Sequence, residues 1–376
     1  MEHNNPPVMV CLISRQTMQN LLPILRYRPQ RVAFVTTIEA DDSRRHLEVA
    51  LHARQIPADP PHYVDACAPA ATQQVCHRLI ERYGADKLVA NVTGGTRVMA
   101  LAALGVFSAA HVPCIYTDTP HQRILYLYPD GKPAEPLLNT VDVLTYIQAH
   151  GQLASLRGRA LRYSLPDLAA FLGQHIAFLD PFLSRLRNAM RDAPDPTCVR
   201  FSPQGKQRHA RAGELVQRAM SAGLMEARQN GADALEIVFQ DDKARRYLEG
   251  EWLEDLVCET VRTAGFDSYA TNVALAWPDT PEREMHEIDM AVVHNLRFFY
   301  ISCKTGNDPE RMKNHLFELE TLSERAGGLF NHPILVASSS RGMALPLRRR
   351  MATLGITYIG PTDLPQLASR LQEIIK

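Results

Sequence analysis

The run Asn91-Val92-Thr93-Gly94-Gly95-Thr96-Arg97-Val98-Met99 constrains the chain more than any other stretch. An apolar segment, Leu88-Val89-Ala90, precedes it, and an Ala-rich segment, Met99 to Ala110, follows. The pattern reads as strand, small-residue loop and helix. Paired glycines let backbone amides approach a ligand closely, and amides at a helix start favour an anion. Thr93 and Thr96 add hydroxyl donors, and Arg97 adds a cation. Such a loop suits phosphates. It is neither a Walker loop nor the dinucleotide fingerprint, because G-x-x-x-x-G-K-S/T and G-x-G-x-x-G are both absent. A Gly-Gly pair after a strand is also an ordinary tight βα turn, so the loop alone leaves two readings open.

The rest of the first 150 residues supports a sheet around this loop. Strand-like segments at Val8–Ile13, Arg31–Thr36, His62–Val64, Leu88–Val92 and Pro113–Thr117 alternate with helical ones near Asn20–Leu25, Leu47–Ala53 and Ala71–Tyr83. Ile124–Tyr128, then Pro129-Asp130-Gly131, reads as a hairpin. Short βαβ connections imply a mostly parallel, Rossmann-like sheet with helices on both faces. Ligands of such sheets lie beyond the carboxyl ends of the strands. Ser14 and Gln16, Thr36 and Thr37, Thr93 to Arg97, and Thr117 with Asp118 all fall at such ends.

From Gly151 to about Gln240 the character changes. Helical patterns in Leu156–Met190 are broken by Pro166 and Pro181, Asp192–Gln207 reads as a loop, and Glu214–Leu224 as a short helix. Met225–Gln229, Asn230-Gly231 and Ala234–Phe239 read as a hairpin, since Asn-Gly is a strong turn signal. This is a small helical or winged-helix-like connector. The last part, 241–376, opens with a helix over Lys243–Ala264. Strands follow at Thr271–Ala276, Ile288–Val293, Arg297–Cys303, Ile334–Ala337 and Ile356–Ile359, with a late helix at Leu345–Leu354 and a terminal one at Leu364–Ile375.

A second chemical constellation sits there. Glu287 and Asp289 lie on one strand, Asn295 closes a hairpin, and Lys304 ends the next strand fifteen residues after Asp289. An acid on one strand and a lysine at the end of its neighbour can converge on one sheet edge. Taken alone, Asp289 and Lys304 could equally form a weak ion pair. Arg311, Lys313 and His315 follow on a helix that could line a substrate cleft, and Arg348 and Arg349 could form a basic patch. Cys303 should point away from Lys304 into the core. No H-E-x-x-H or G-x-S-x-G occurs.

Charge and cysteine usage narrow the setting. The 41 basic and 41 acidic residues of the 376 cancel, so any nucleic-acid site must be a local patch. Seven scattered cysteines, the missing signal-peptide pattern and the lack of a membrane-length apolar run lead to the expectation of a cytoplasmic protein with reduced thiols and no membrane partner.

The motif N-x-T-G-G-T-K/R-x-M in an N-terminal α/β domain resembles the CARF domains of CRISPR-associated ancillary nucleases. Glu287, Asp289 and Lys304, with Glu254 in Trp252-Leu253-Glu254 on the preceding helix, resemble a restriction-endonuclease-like PD-(D/E)xK core. The resemblance divides the chain into a CARF domain (1–150), a connector (151–240) and a nuclease domain (241–376). It implies a homodimer that binds cyclic oligoadenylate, with cyclic tetra-adenylate as allosteric activator, and that hydrolyses DNA or RNA with manganese or magnesium in type III CRISPR antiviral defence. It also implies roles. Asp289, Glu254 and Glu287 would hold the metal and Lys304 would act on the nucleophile or phosphate, so the catalytic set is Asp289, Lys304, Glu287 and Glu254. The activator would meet the strand-end residues from Ser14 to Asp118, and the connector would carry the signal. One departure stands out: Ser302 occupies the position of the usual second acid, two residues before the lysine. That feature keeps open a different class of function, a CARF ligand-sensing transcriptional regulator with a degenerate nuclease fold.

Overall fold

The architecture is that of a computed structural model describing residues 6–137, 141–151, 153–155, 164–195, 197–201, 206–230, 234–276, 286–306, 308–326, 331–339 and 345–375. The N-terminal layer runs β1 (Val8–Leu12), α1 (Met18–Tyr27), β2 (Arg31–Thr36), α2 (Asp41–His52), β3 (His62–Tyr63), α3 (Pro69–Tyr83), β4 (Leu88–Asn91), α4 (Arg97–Ala109), β5 (Cys114–Asp118), β6 (Arg123–Tyr128) and β7 (Glu135–Pro136). The sheet order is β3-β2-β1-β4-β5-β6-β7, parallel from β3 to β5 and antiparallel from β5 to β7. β1 is buried throughout, because both faces are covered by helices, and its sequence is accordingly an unbroken apolar run.

A short helix, α5 (Val143–Ala149), leads out of this domain and β8 (Leu153–Ser155) follows it. Helix α6 (Pro166–Asp192), β9 (Cys198–Phe201), α7 (Lys206–Ser221), β10 (Met225–Asn230) and β11 (Ala234–Phe239) come next. β10 and β11 form the expected hairpin, and β9 adds a third antiparallel strand where a loop was expected. The turn residue Gly231 lies outside the described residues. Pro166 starts α6, as a proline at the first turn can. Pro181 breaks nothing: the helix runs through it, held by the buried face of Leu179, Phe182, Leu183 and Leu186. Tertiary burial outweighs the lost hydrogen bond.

The C-terminal part runs α8 (Asp242–Arg246), a π-helical turn (Tyr247–Glu251), α9 (Trp252–Thr263), β12 (Ser268–Ala276), β13 (His286–His294), β14 (Arg297–Lys304), α10 (Pro309–Ala326), β15 (Asn331–Ala337), α11 (Leu345–Thr353), β16 (Thr357–Ile359) and α12 (Leu367–Ile375). Its mixed sheet has the order β16-β15-β14-β13-β12-β8. β8, inside the stretch read as connector, is thus hydrogen-bonded to the C-terminal sheet through β12. Asn295 and Leu296 both take positive φ (51° and 63°), the geometry of a tight two-residue hairpin turn between β13 and β14.

The N-terminal sheet and the C-terminal sheet share one apolar core, in which Leu21, Tyr146 and Ile147 join Val273, Phe298 and Tyr300. Tyr146 of α5 stacks on Phe298 of β14, with ring centroids 4.8 Å apart and planes 9° from parallel. All seven cysteines are free. Among the described residues no helix is long and apolar enough to cross a membrane.

Candidate functional site

The loop after β4 lies at the carboxyl edge of the parallel strands, and so do the ends of β1, β2 and β5. Ser14, Gln16, Thr36, Thr37, Thr93 to Arg97, Thr117 and Asp118 are therefore brought to one edge of the sheet. Their hydrogen bonds reveal a loop that is already filled. Thr93 Oγ1 donates to Asn91 Oδ1 (2.5 Å) and accepts from the Thr117 amide (2.7 Å). Thr96 Oγ1 donates to the Ala66 carbonyl (2.6 Å) and caps α4 by accepting from the Met99 amide. Ser14 Oγ accepts from the Gln16 amide, and Gln16 Oε1 from Gln19 Nε2. The Thr36 hydroxyl, fully buried, donates to the Thr37 carbonyl. Asp118 is held by His121 and Arg123, whose hydrogen bonds keep its carboxyl below the usual range. Arg97 is exposed, and the buried Thr117 hydroxyl has no partner.

Both glycines also have a structural reason to be there. A Cβ on Gly94 would lie 2.1 Å from the Leu12 carbonyl oxygen, so the residue is demanded by the close passage of β1. Gly95 has a φ of 72°, in the left-handed region, and a Cβ there would press on Leu12 and Met99. Both glycines build the loop itself. Sequence reasoning passed over Asn20 and named Asn91 only as the start of the motif, yet the two cross-brace the loop. Asn91 Nδ2 donates to Asn20 Oδ1 (2.8 Å), and Asn20 Nδ2 donates to the Leu12 carbonyl (2.8 Å). Both are buried, and a buried asparagine at a strand end signals a loop brace.

The second site forms where β13 and β14 part. Their ladder ends at Met290 paired with Ile301. Beyond it the Asp289 side chain takes over the sheet's role, and its Oδ2 accepts from the Cys303 amide (2.6 Å) and the Ser302 hydroxyl (3.2 Å). Lys304 Nζ lies 3.6 Å from the same oxygen, and both side chains are mostly buried, at 24% and 16% exposure. Asp289 and Lys304 are thus a largely buried pair and no surface ion pair. Burial alone would depress the lysine, but Asp289 and weaker acids more than offset it, so Lys304 sits above its ordinary range and stays charged. Cys303 is buried in the opposite core, and burial lifts its thiol well above the usual value.

Glu254 reaches this pair from α9. Burial first, then Asp289 and Glu251, push its carboxyl up to about 8, against a smaller lowering by Lys304 and a further raising by Glu287. Glu287, two residues before Asp289 on β13, is exposed. The helix is brought close by Gly250, where a Cβ would stand 2.6 Å from Thr305 Oγ1. Thr305 in turn donates to the Glu249 carbonyl (3.2 Å) within the π turn. Such turns leave the i→i−4 pattern and occur often at functional sites.

Among the described residues, no three His, Cys, Asp or Glu side chains close into a ready metal cage. The donor chemistry nonetheless fits a hard divalent ion, since Glu254, Asp289 and Glu287 offer carboxylate oxygens. Asp289 is turned onto Lys304, which explains why the cage is open.

Of the other basic candidates, Arg311 and His315 line a cleft that ends at Lys304. Arg350 is tied to Glu320 (2.7 Å) and lies over Phe317, which makes it structural, while Arg348 and Arg349 are exposed. Residues 341–344 of that basic segment lie outside the described residues.

Residues 8–146 match the Card1 CARF domain, and residues 241–376 match the Card1-like endonuclease domain. None of the curated proteins matches the chain. Protein VC1899 from Vibrio cholerae shares the fold over 98% of this chain and 97% of its own, with a TM-score of 0.82 and 22% identity. Can2 from Sulfobacillus thermosulfidooxidans, solved with cyclic tetra-adenylate, matches over 99% and 98%, with a TM-score of 0.78 and 22% identity. A type III CRISPR defence DNA nuclease activated by cyclic oligoadenylate matches 88% of this chain but only 45% of its own, with a TM-score of 0.56 and 18% identity. A Card1 CARF domain and a Card1-like endonuclease domain, together spanning most of the chain, place this protein in the Card1-like family.

Proposed function

We propose that the chain is a nuclease of type III CRISPR defence, switched on by a cyclic oligoadenylate and dependent on a divalent metal ion. The observation that carries this is the meeting of Glu254, Asp289 and Lys304 where β13 and β14 part. Glu254 and Asp289, with Glu287 at the rim, would hold manganese or magnesium, which supplies Lewis acidity and charge neutralisation when bound. Asp289 also positions Lys304. Lys304 would act on the nucleophile or on charge developing at the scissile phosphate. Ser302 gives up the usual second carboxylate and steadies Asp289 through its hydroxyl. The PD-(D/E)xK pattern is thereby displaced toward Glu254. A carboxyl raised by burial and then by Asp289 and Glu251 favours this reading over the regulator with a degenerate site.

Cyclic tetra-adenylate, the ligand of Can2, is the activator we assign to the edge carrying Thr93 to Arg97. Backbone amides of the braced loop, Arg97 and the partnerless Thr117 hydroxyl are the groups available to it. A symmetric ring suits a two-fold homodimer. Helix α4 offers a matching surface, since Val98, Leu101, Gly105 and Ala109 share one exposed face and Leu101 is 71% exposed. Ile38, 80% exposed, lies just past Thr37. The signal has a direct route: α5 ties the sensor core to β14, six residues before Lys304, without passing through residues 164–240.

The test is cleavage of single-stranded DNA and RNA with manganese, with and without cyclic tetra-adenylate. Wild type should cut only with both present. Asp289→Ala and Lys304→Ala should each lose about 10²-fold or more. Duplex binding with no cleavage under any condition would favour the regulator.

A further inference from the structure

The cleft that ends at Lys304 has a volume of about 370 Å³, and α6 supplies one of its walls. Its cations are Arg187 and Arg191 from α6, Arg245 from α8, Lys304, and Arg311 from α10, against two acids, Glu249 and Asp308. In a chain whose formal charge is zero this excess is a local feature. Arg245 is held by Glu249 (2.6 Å) and Asp242 (2.8 Å), so one acid is already spent inside the wall. Arg191 and Arg311 are 69% and 79% exposed and make only long ion pairs, with Asp192 (3.4 Å) and Asp308 (3.6 Å). Such pairs are weak and exchange readily for another anion. Arg187 differs. Its side chain is 14% exposed, and its Nη2 meets Ser184 (3.1 Å) and Asp180 (3.5 Å). Its Nη1 is buried with no partner, a costly state for a guanidinium donor. No Phe, Tyr or Trp is among the described residues lining the cleft.

We propose that this cleft grips the sugar-phosphate backbone of one polynucleotide strand and leads it to Lys304, with Arg187 and Arg191 of the interdomain helix binding its phosphates. The inference rests on the nuclease reading above and adds the direction and mode of substrate entry. Cations without stacking aromatics read the backbone and not the bases, so cleavage should tolerate most sequences. Arg187, 14% exposed, adds its charge to the cleft wall. Because α6 lies between the two domains in sequence, the substrate site is then built partly by the segment that joins them.

The test uses the full-length Asp289→Ala protein with cyclic tetra-adenylate, a labelled oligodeoxynucleotide and an RNA of the same sequence, followed by anisotropy across a salt series. Binding of either strand should weaken about tenfold in Arg191→Gln/Arg311→Gln, and the slope of log affinity against log salt should flatten by about 0.7 for each phosphate that is no longer neutralised. With Asp289 restored, the same double variant should show a raised KM and a nearly unchanged kcat. Arg187→Gln should weaken binding further; if it fails to fold, the exposed pair still decides. Unchanged affinity and slope in the double variant, or binding of duplex alone, would overturn the proposal. Cleavage by the double variant with an unchanged KM would sink the cleft and leave the nuclease reading intact. Salt-dependent strand binding by a protein that never cuts would do the reverse.

Discussion

The loop after β4 and the parting of β13 and β14 are both polar sites at sheet edges, yet they are built in opposite ways. In the loop, nearly every side-chain donor and acceptor is satisfied by the protein: Thr93 and Thr96 bond inward, and two asparagines brace the frame. In the strand pair, charge is left out of balance. Glu254 stands half-buried among acids with one nearby lysine, and its carboxyl climbs to about 8. A finished loop offers a ligand its amides and its shape, at little reorganisation. An acid cluster short of cations is costly until one arrives, which makes it a site waiting for charge.

The contrast can be broken most severely at Gly94. Any side chain there meets the Leu12 carbonyl, so Gly94→Val should cost about 3 kcal/mol or more, the scale of overpacking a tight contact. Gly95→Ala, strained only by its positive φ and close packing, should cost about 1–2 kcal/mol. Thermal melts check both. A variant at Gly94 that folds with wild-type stability would show that the loop is looser than its hydrogen bonds imply.

Next comes the pH dependence of the acid cluster. Glu254 holds its proton more tightly folded than unfolded, so metal-free stability should fall as pH rises from about 4.5 to about 8 and level off above that. Glu254→Gln removes the charge. It should raise metal-free stability by about 1–3 kcal/mol at pH near 8, the scale of an uncompensated buried charge, and by little near pH 5. Equal gains at both pH values would mean that Glu254 is not the strained member.

The smallest effect is expected at Glu287. It is exposed and the weakest of the acids acting on Glu254, so Glu287→Ala should leave the melting temperature unchanged and slow cleavage less than tenfold. A loss matching that of Asp289→Ala would move the metal site out to the rim.

Much of this was legible in the sequence, and the rest failed for physical reasons. Hydrophobic runs bounded by small polar residues located β1, β2, β4 and β5, because strands buried on both faces leave no other pattern. Glu287, Asp289 and Lys304 could be paired across a hairpin from their spacing alone. Pro181 misled, since local propensity carries no knowledge of the buried face that sustains α6. Short β9 lacked alternation long enough to see. The packing of Gly94 against β1 was also beyond the sequence, because a Gly-Gly pair does not show which strand passes over it. The π turn, Gly250 and the Arg187 cleft depend on contacts between distant segments that no window of residues contains.

The account rests most on Glu254 and Asp289 forming a hard-cation site that is protonated when empty. Calorimetric titration of the full-length protein with manganese, in buffers of different ionisation enthalpy, counts the protons released on binding. Near neutral pH about one proton should leave per ion bound, falling toward none well above pH 8, and the release should vanish in Glu254→Gln. Binding that releases no proton at neutral pH, or binding unaffected by Asp289→Ala, would contradict it.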